Sequence, residues 1–176
     1  MLYAFAMRPI LVWVVLAAAT AALSGCSSDT AFKTASPDNI AGNYMLTITN
    51  GANGCMLENW ESGKSTASIP FVITQDGSNA NGTLQGAAAV VLDLFIGTNQ
   101  FTGSVSASDF VMTAYGTIPR HQDMCAYNLN ARVTGSIVGD AVSGTIDYAP
   151  ATSTNPACMS VQCTSTQSFN GTRPPP

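Results

Sequence analysis

Between Tyr127 and Tyr148 the chain alternates apolar and polar residues, with a single break at Gly139-Asp140. Tyr127, Leu129, Ala131, Val133, Gly135 and Ile137 fall on one side, and Asn128, Asn130, Arg132, Thr134 and Ser136 on the other. Beyond the break, Val142, Gly144, Ile146 and Tyr148 resume the apolar row. A period of two marks strands with one face on a core and the other in water. Two such runs around a Gly-Asp pair form an antiparallel hairpin. Its register is fixed as well, because a slip of one residue would carry the whole apolar row into solvent. A hairpin alone is at best marginal in water, so the rest of the chain must supply strands that cover this face.

Those strands are legible. Tyr44, Leu46 and Ile48 alternate with Met45, Thr47 and Thr49, and Asn50-Gly51 and Asn53-Gly54 follow as turn signals. Ile69 to Gln75 runs into Asp76-Gly77, and Ala80 to Gln85 returns. Phe101, Gly103 and Val105 precede a turn at Ala107-Ser108, with Phe110, Met112 and Ala114 after it. Gln167 to Gly171 supplies a last short strand. The segments FTGSVSASDFVMT, VTGSIVGDAVSGT and NGTLQG share a Gly-x-aliphatic core. Their spacing is too irregular for a solenoid, and their glycines suit the bent strands of a closed sheet. Residues 87–96, AAAVVLDLFI, are apolar throughout except for Asp93, and periodicity leaves a short helix and a doubly buried strand equally open. Residues 55–67 read as a loop pinned by Cys55 and carrying Trp60, and residues 149–165 as a second loop. The expected fold is all-β: an antiparallel up-and-down barrel, or barrel-like sandwich, of about eight strands. It spans residues 40–172 with at most one short helix, and Arg173-Pro174-Pro175-Pro176 follows as a frayed tail. An outer-membrane barrel would need aromatic girdles and lipid-facing apolar rows, which this pattern lacks.

Before the domain, Arg8 is followed by an uncharged stretch from Pro9 to Ser28 whose apolar part, Ile10 to Leu23, ends in Leu23-Ser24-Gly25-Cys26. About 14 apolar residues are fewer than the roughly 20 of a spanning helix, so the segment reads as a cleaved signal. The Leu-Ser-Gly-Cys ending resembles a bacterial lipobox. That resemblance implies cleavage before Cys26, lipidation of Cys26 and attachment to a membrane through that lipid. Ser27, rather than Asp, after the cysteine implies the outer membrane. Residues 1–25 are then a signal peptide and residues 26–39 a small, polar, flexible tether. Cleavage leaves about 150 residues, enough for one domain.

Four cysteines remain after Cys26: Cys55, Cys125, Cys158 and Cys163. An even number in an exported chain reads as two disulfides. Three connectivities exist. The expected one joins Cys158 to Cys163 as a local clip and Cys55 to Cys125 as a long staple, with loop-closure contributions of about 2 and about 4 kcal/mol. A metal site is not expected, because no C-x-x-C pair occurs and His121 is the sole histidine.

Chemistry-bearing motifs are sparse, and no cofactor is expected. The net charge is −4, and cleavage removes only a cation, Arg8. An acidic chain is a poor partner for nucleic acid or for anionic headgroups. Charged residues make up 9%, against roughly 25% in ordinary domains, so Ser, Thr, Asn, Gln and Gly must cover the surface. His121 lies in a polar loop with no G-x-S-x-G to partner it. Glu58 and Glu61 flank Trp60, but glycosidase carboxylates are drawn from separate strands of larger folds. Asn81 and Asn170 match the glycosylation sequon, as chance matches in a bacterial chain. Asp93 is costly to bury unpaired. It either faces water on an amphipathic helix or points into a cavity and orients a ligand, and with Trp60 it makes up the candidate ligand-binding set.

Gly42-Asn43-Tyr44 at the first strand, recurrent hairpins and a disulfide-pinned end look lipocalin-like in outline. The segments NGANGCMLENW, ITQDGS, DYAPAT and FNGTRPP, spanning most of residues 42–175, resemble a group of uncharacterised secreted bacterial lipoproteins with a small barrel domain. The resemblance implies a shared fold and carries no functional residue across. The functional expectation is a lipid-anchored, non-catalytic binding or interaction module of the cell envelope. Its partner is a small apolar ligand or an envelope protein, and a periplasmic enzyme or enzyme inhibitor is the alternative.

Overall fold

The computed structural model describes residues 38–151, 153 and 155–174. The signal, Cys26 and all but the end of the tether lie outside the described residues. Eight strands close an antiparallel barrel: β1 (Gly42–Asn53), β2 (Ser65–Asp76), β3 (Asn79–Leu84), β4 (Gln100–Ser106), β5 (Asp109–Ala114), β8 (Leu129–Val138), β9 (Ala141–Pro150) and β10 (Ser165–Thr172). Each barrel strand pairs with the next along the chain, and β10 returns to β1, with Ile48 opposite Phe169. Helix α1 (Gly86–Ile96) sits between β3 and β4. A separate hairpin of β6 (Arg120–Gln122) and β7 (Cys125–Tyr127) is inserted between β5 and β8.

The alternation read from the sequence is realised from Leu129 onward; Tyr127, expected in the same row, belongs instead to β7 of the separate hairpin and is half-buried. Leu129, Ala131, Val133 and Ile137 are buried on β8, as are Val142, Ile146 and Tyr148 on β9. Val133 stands opposite Ile146, and Thr134 opposite Thr145 on the solvent side. An eight-stranded barrel is just wide enough for side chains to fill it. Here the rings of Phe71, Phe101, Phe110 and Phe169 enter from different strands and occupy the interior. The recurrent glycines make room for them. A Cβ on Gly135 would stand 2.6 Å from Phe110 Cζ and 2.9 Å from Phe169 Cζ. The Gly-x-aliphatic pattern thus records ring packing as well as strand bending.

The two ends of the barrel differ. At one end the strands are joined by tight turns at Gly77-Ser78, Ala107-Ser108 and Gly139-Asp140. The chain enters here, held by the Gln75 side chain, whose Oε1 accepts the Ile40 N–H at 2.8 Å and whose Nε2 donates to the Asp38 carbonyl at 3.0 Å. Arg173 closes the same end. Its backbone N–H donates to the Asp140 carbonyl, Nη2 donates to Tyr44 Oη at 2.7 Å, and the guanidinium lies over the Tyr44 ring. The Tyr44 hydroxyl in turn donates to the Ile40 carbonyl at 2.8 Å. A Cβ on Gly42 would meet the Arg173 side chain, with Nε at 2.9 Å. The expectation that the tail frays from residue 173 is therefore corrected: a cation–aromatic contact and two hydrogen bonds hold Arg173 in the domain.

Candidate functional site

Every long connection lies at the opposite end: residues 54–64 between β1 and β2, α1, the β6–β7 insert, and residues 151–164 between β9 and β10. Residues 87–96 resolve as helix. Ala87, Ala88 and Ala89 are strong helix formers, and Gly97, with φ +88°, ends the helix by donating its N–H to the Asp93 carbonyl at 2.8 Å. Ala89, Leu92 and Ile96 turn inward and plug the barrel mouth. Periodicity could not settle the question because the outward side, with Val90, Val91 and Leu94, is apolar too.

An aromatic row completes the plug. The Trp60 and Tyr148 rings meet edge-on with centroids 5.9 Å apart, Phe95 meets Tyr148 at 6.0 Å, and the Arg120 guanidinium stacks on Phe95 at 4.4 Å. Trp60 is half-buried, and its Nε1 donates to the Gly51 carbonyl at 3.0 Å. The Tyr148 hydroxyl donates to Gln167 Oε1 at 2.9 Å, and burial raises its pKa above the ordinary tyrosine value, so it stays protonated. At the tight-turn end, the hydrogen bond to Tyr44 raises the pKa of Arg173 above its ordinary value. Sequence reasoning missed Phe95, Arg120 and Arg173, which sit on different elements with no fixed spacing between them.

Beneath the plug the interior is filled. An interior cavity lined by Leu46, Phe71, Leu92, Phe101 and Tyr148 among others measures about 30 Å³, room for about one water. Asp93 is exposed, and only its backbone carbonyl takes part in the helix end. Of the two readings of Asp93, the one that faces water on a helix is realised, and the interior ligand handle is not. Burying it would have required a partner, and the helix register turns it outward. Trp60 belongs to the plug and is not among the residues lining this small cavity.

The four cysteines form two disulfides, but the pairing is Cys55–Cys163 and Cys125–Cys158, each with Cα atoms 4.9 Å apart. This replaces the expected local clip and long staple. The cause is ladder register. Asn53 pairs with Ser165, and the Gly54 N–H donates to the Thr164 carbonyl at 3.1 Å, which brings Cys55 beside Cys163. The 3-10 turn at Pro156–Cys158 packs on β7 and delivers Cys158 to Cys125. Cys163 and Cys158 therefore face different elements.

Between the end of β9 and residues 156–164 lies an open groove of about 690 Å³, lined by Tyr127, Pro150, Met159, Val161 and Gln162 among others. Three exposed methionines stand at this end, each beside a bridged cysteine: Met56 after Cys55, Met124 before Cys125 and Met159 after Cys158. The disulfides fix the backbone from which these flexible thioethers project. His121 is exposed on β6, and among the described residues no ion pair joins it to a carboxylate. Glu58 is exposed, and Glu61 pairs with Lys64 at 2.8 Å. None of the three lines the open groove. Comparison with protein-family models, with curated proteins and with solved structures finds no match.

Proposed function

We propose that this protein is a lipid-anchored, non-catalytic module of the bacterial envelope that binds a protein partner through the loop-bearing end of its barrel. The observation that carries this reading is the contrast between the two spaces: about 30 Å³ inside the barrel and an open groove of about 690 Å³ at the loop end. A small apolar ligand of ordinary size needs roughly 300 Å³ or more, and the packed phenylalanines occupy that room. Flexible exposed methionines are favoured at surfaces that adapt to partners, and here three of them rim one end. Two disulfides fit an oxidising compartment outside the cytoplasm. The lipobox at Leu23–Cys26 supports anchoring, and the chain enters the domain at the tight-turn end, which leaves the loops at the other.

A photo-crosslinking residue placed at Met124 or Met159 in the intact protein, in its own membranes, should yield a discrete protein adduct. The same residue at Val138, exposed at the tight-turn end, should not. Adducts of equal yield from all three positions, or from none, would overturn the assignment. Labelled palmitate should enter the wild type and not Cys26→Ser.

A further inference from the structure

The sulfur of this domain falls into two chemical states. The four domain cysteines are bridged and so already oxidised. The other sulfur atoms of the described residues are thioethers, on Met45, Met56, Met112, Met124 and Met159. Met112 is 0% exposed inside the barrel and Met45 39% on its wall, whereas Met56 is 86%, Met124 88% and Met159 72% exposed at the loop end. Core packing does not account for these three. Met56 also has φ +51°, a conformation that costs a side chain with a Cβ strain, so backbone geometry gives no reason for a methionine there either. Two of the three are gathered by a disulfide. Cys125 and Cys158 have Cα atoms 4.9 Å apart and each has one methionine as its chain neighbour, which keeps the Met124 and Met159 Cα atoms within about 12.5 Å.

We propose that Met56, Met124 and Met159 are sites of reversible oxidation by hydrogen peroxide, and that their conversion turns the loop end of the barrel polar while the fold stays intact. The thioether sulfur attacks one peroxide oxygen; a sulfur–oxygen bond forms and the oxygen–oxygen bond breaks. The sulfide is oxidised to a sulfoxide, and the second oxygen leaves as water with both protons. Each event replaces a flexible apolar side chain by a polar, chiral one. Susceptibility follows access to the oxidant, and access is what divides the five methionines. At Met112 burial shields the sulfur, and a sulfoxide would put a polar oxygen into the core. At the three exposed positions water solvates the new oxygen, and the neighbouring disulfides hold the backbone. With those cysteines bridged, no domain thiol consumes the peroxide first.

Met159 lines the open groove, so the change falls on the surface assigned above to a protein partner. The regulatory consequence rests on that reading: thioethers adapt to a partner's apolar surface, hydrated sulfoxides resist burial there, and oxidation releases the partner. The assignment of the oxidation sites does not depend on it.

Peptide mass spectrometry of the full-length protein during peroxide treatment reads the sites. Sulfoxide should appear at Met56, Met124 and Met159 about tenfold faster than at Met112, with Met45 between. In denaturant the rates should converge, which ties the ranking to the fold. The thermal midpoint should stay in place while the three convert, and full return to the thioether should require both epimer-specific sulfoxide reductases. Equal native rates at Met112 and the three, or a midpoint that falls as they convert, would overturn the inference. Binding is read with a photo-crosslinking residue at Gln162, which lines the groove, in the protein's own membranes. Peroxide should lower the adduct yield about fivefold or more, the two reductases should restore it, and the triple variant Met56→Leu, Met124→Leu, Met159→Leu should keep its adduct throughout. An adduct that survives complete conversion of the three removes the switch. No adduct before peroxide refutes the partner reading instead, and the mass-spectrometric ranking then decides the oxidation sites by itself.

Discussion

Tyr148 couples the barrel to its plug. It stands on β9 with its ring between Trp60 and Phe95, and its hydroxyl is spent on Gln167, whose Nε2 donates onward to Asn50 Oδ1 at 2.7 Å. Burial raises its pKa above the ordinary value of 10.0. Above that pH the unfolded chain loses the phenolic proton while the folded chain keeps it. The native state then binds more protons, and stability falls as pH rises. The expected slope is about 1.4 kcal/mol per pH unit, starting near pH 10 and ending at the raised folded value. Tyr148→Phe should lose the Gln167 bond, at about 1 kcal/mol near neutral pH, and should also lose this alkaline slope. Urea midpoints of the two proteins from pH 8 to pH 11 measure both effects, and parallel curves would remove Tyr148 as the source.

At the scale of elements, the β8–β9 hairpin and α1 illustrate opposite kinds of specification. The hairpin has one dry face and one wet one. An Asp at Val133 or Ile146 places an unpaired charge in the core and should cost several kcal/mol of a typical 5–15. An Asp at Thr134 or Thr145, whose side chains are exposed, should change stability by no more than about 1 kcal/mol. Chemical denaturation of the four variants tests this, and equal losses on both faces would mean that the outside of the barrel is covered. Helix α1 has no such contrast between its faces. Its inward side is chosen by the barrel mouth, where Ala89, Leu92 and Ile96 are buried, and its outward side, with Val90, Val91 and Leu94, stays exposed.

For the molecule as a whole, the asymmetry of the barrel organises everything else. One end is sealed by short turns and the Arg173–Tyr44 contact; the other carries every long loop, both disulfides and the groove. The disulfides span 108 and 33 residues in sequence. By chain entropy they contribute about 5 and about 4 kcal/mol. Peptide mapping of the unreduced protein should find Cys55 joined to Cys163 and Cys125 to Cys158. Replacing Cys125 and Cys158 together by Ser should lower stability by about 4 kcal/mol, read from the denaturation midpoint. A Cys158–Cys163 peptide would refute the register argument that joins β1 to β10.

The sequence by itself located most of the barrel strands, because alternation is a local record of which side of each residue is dry; β6 was read as a polar loop, and Asn50-Gly51, read as a turn, lies inside β1. It also marked hairpin turns: Gly139-Asp140 reverses the chain as read, and the reversal read at Asp76-Gly77 sits one residue later, at Gly77-Ser78. It pointed to an antiparallel up-and-down order as well, and left open whether the sheet closes into a barrel or packs as a sandwich. What only the tertiary structure decided depends on residues far apart in the chain. The pairing of Cys55 with Cys163 follows from the ladder between β1 and β10, which meets only when the barrel closes. The fate of residues 87–96 was undecidable locally, because a segment apolar on all sides gives no period; the barrel mouth supplied the missing second surface. Asp93 turned outward with that helix. Arg173 was read as tail because a Pro-rich end cannot extend a sheet, yet its side chain found the Tyr44 ring 129 residues away. Local pattern records the wet and dry sides of a strand; which distant surfaces meet is settled only when the eighth strand closes on the first.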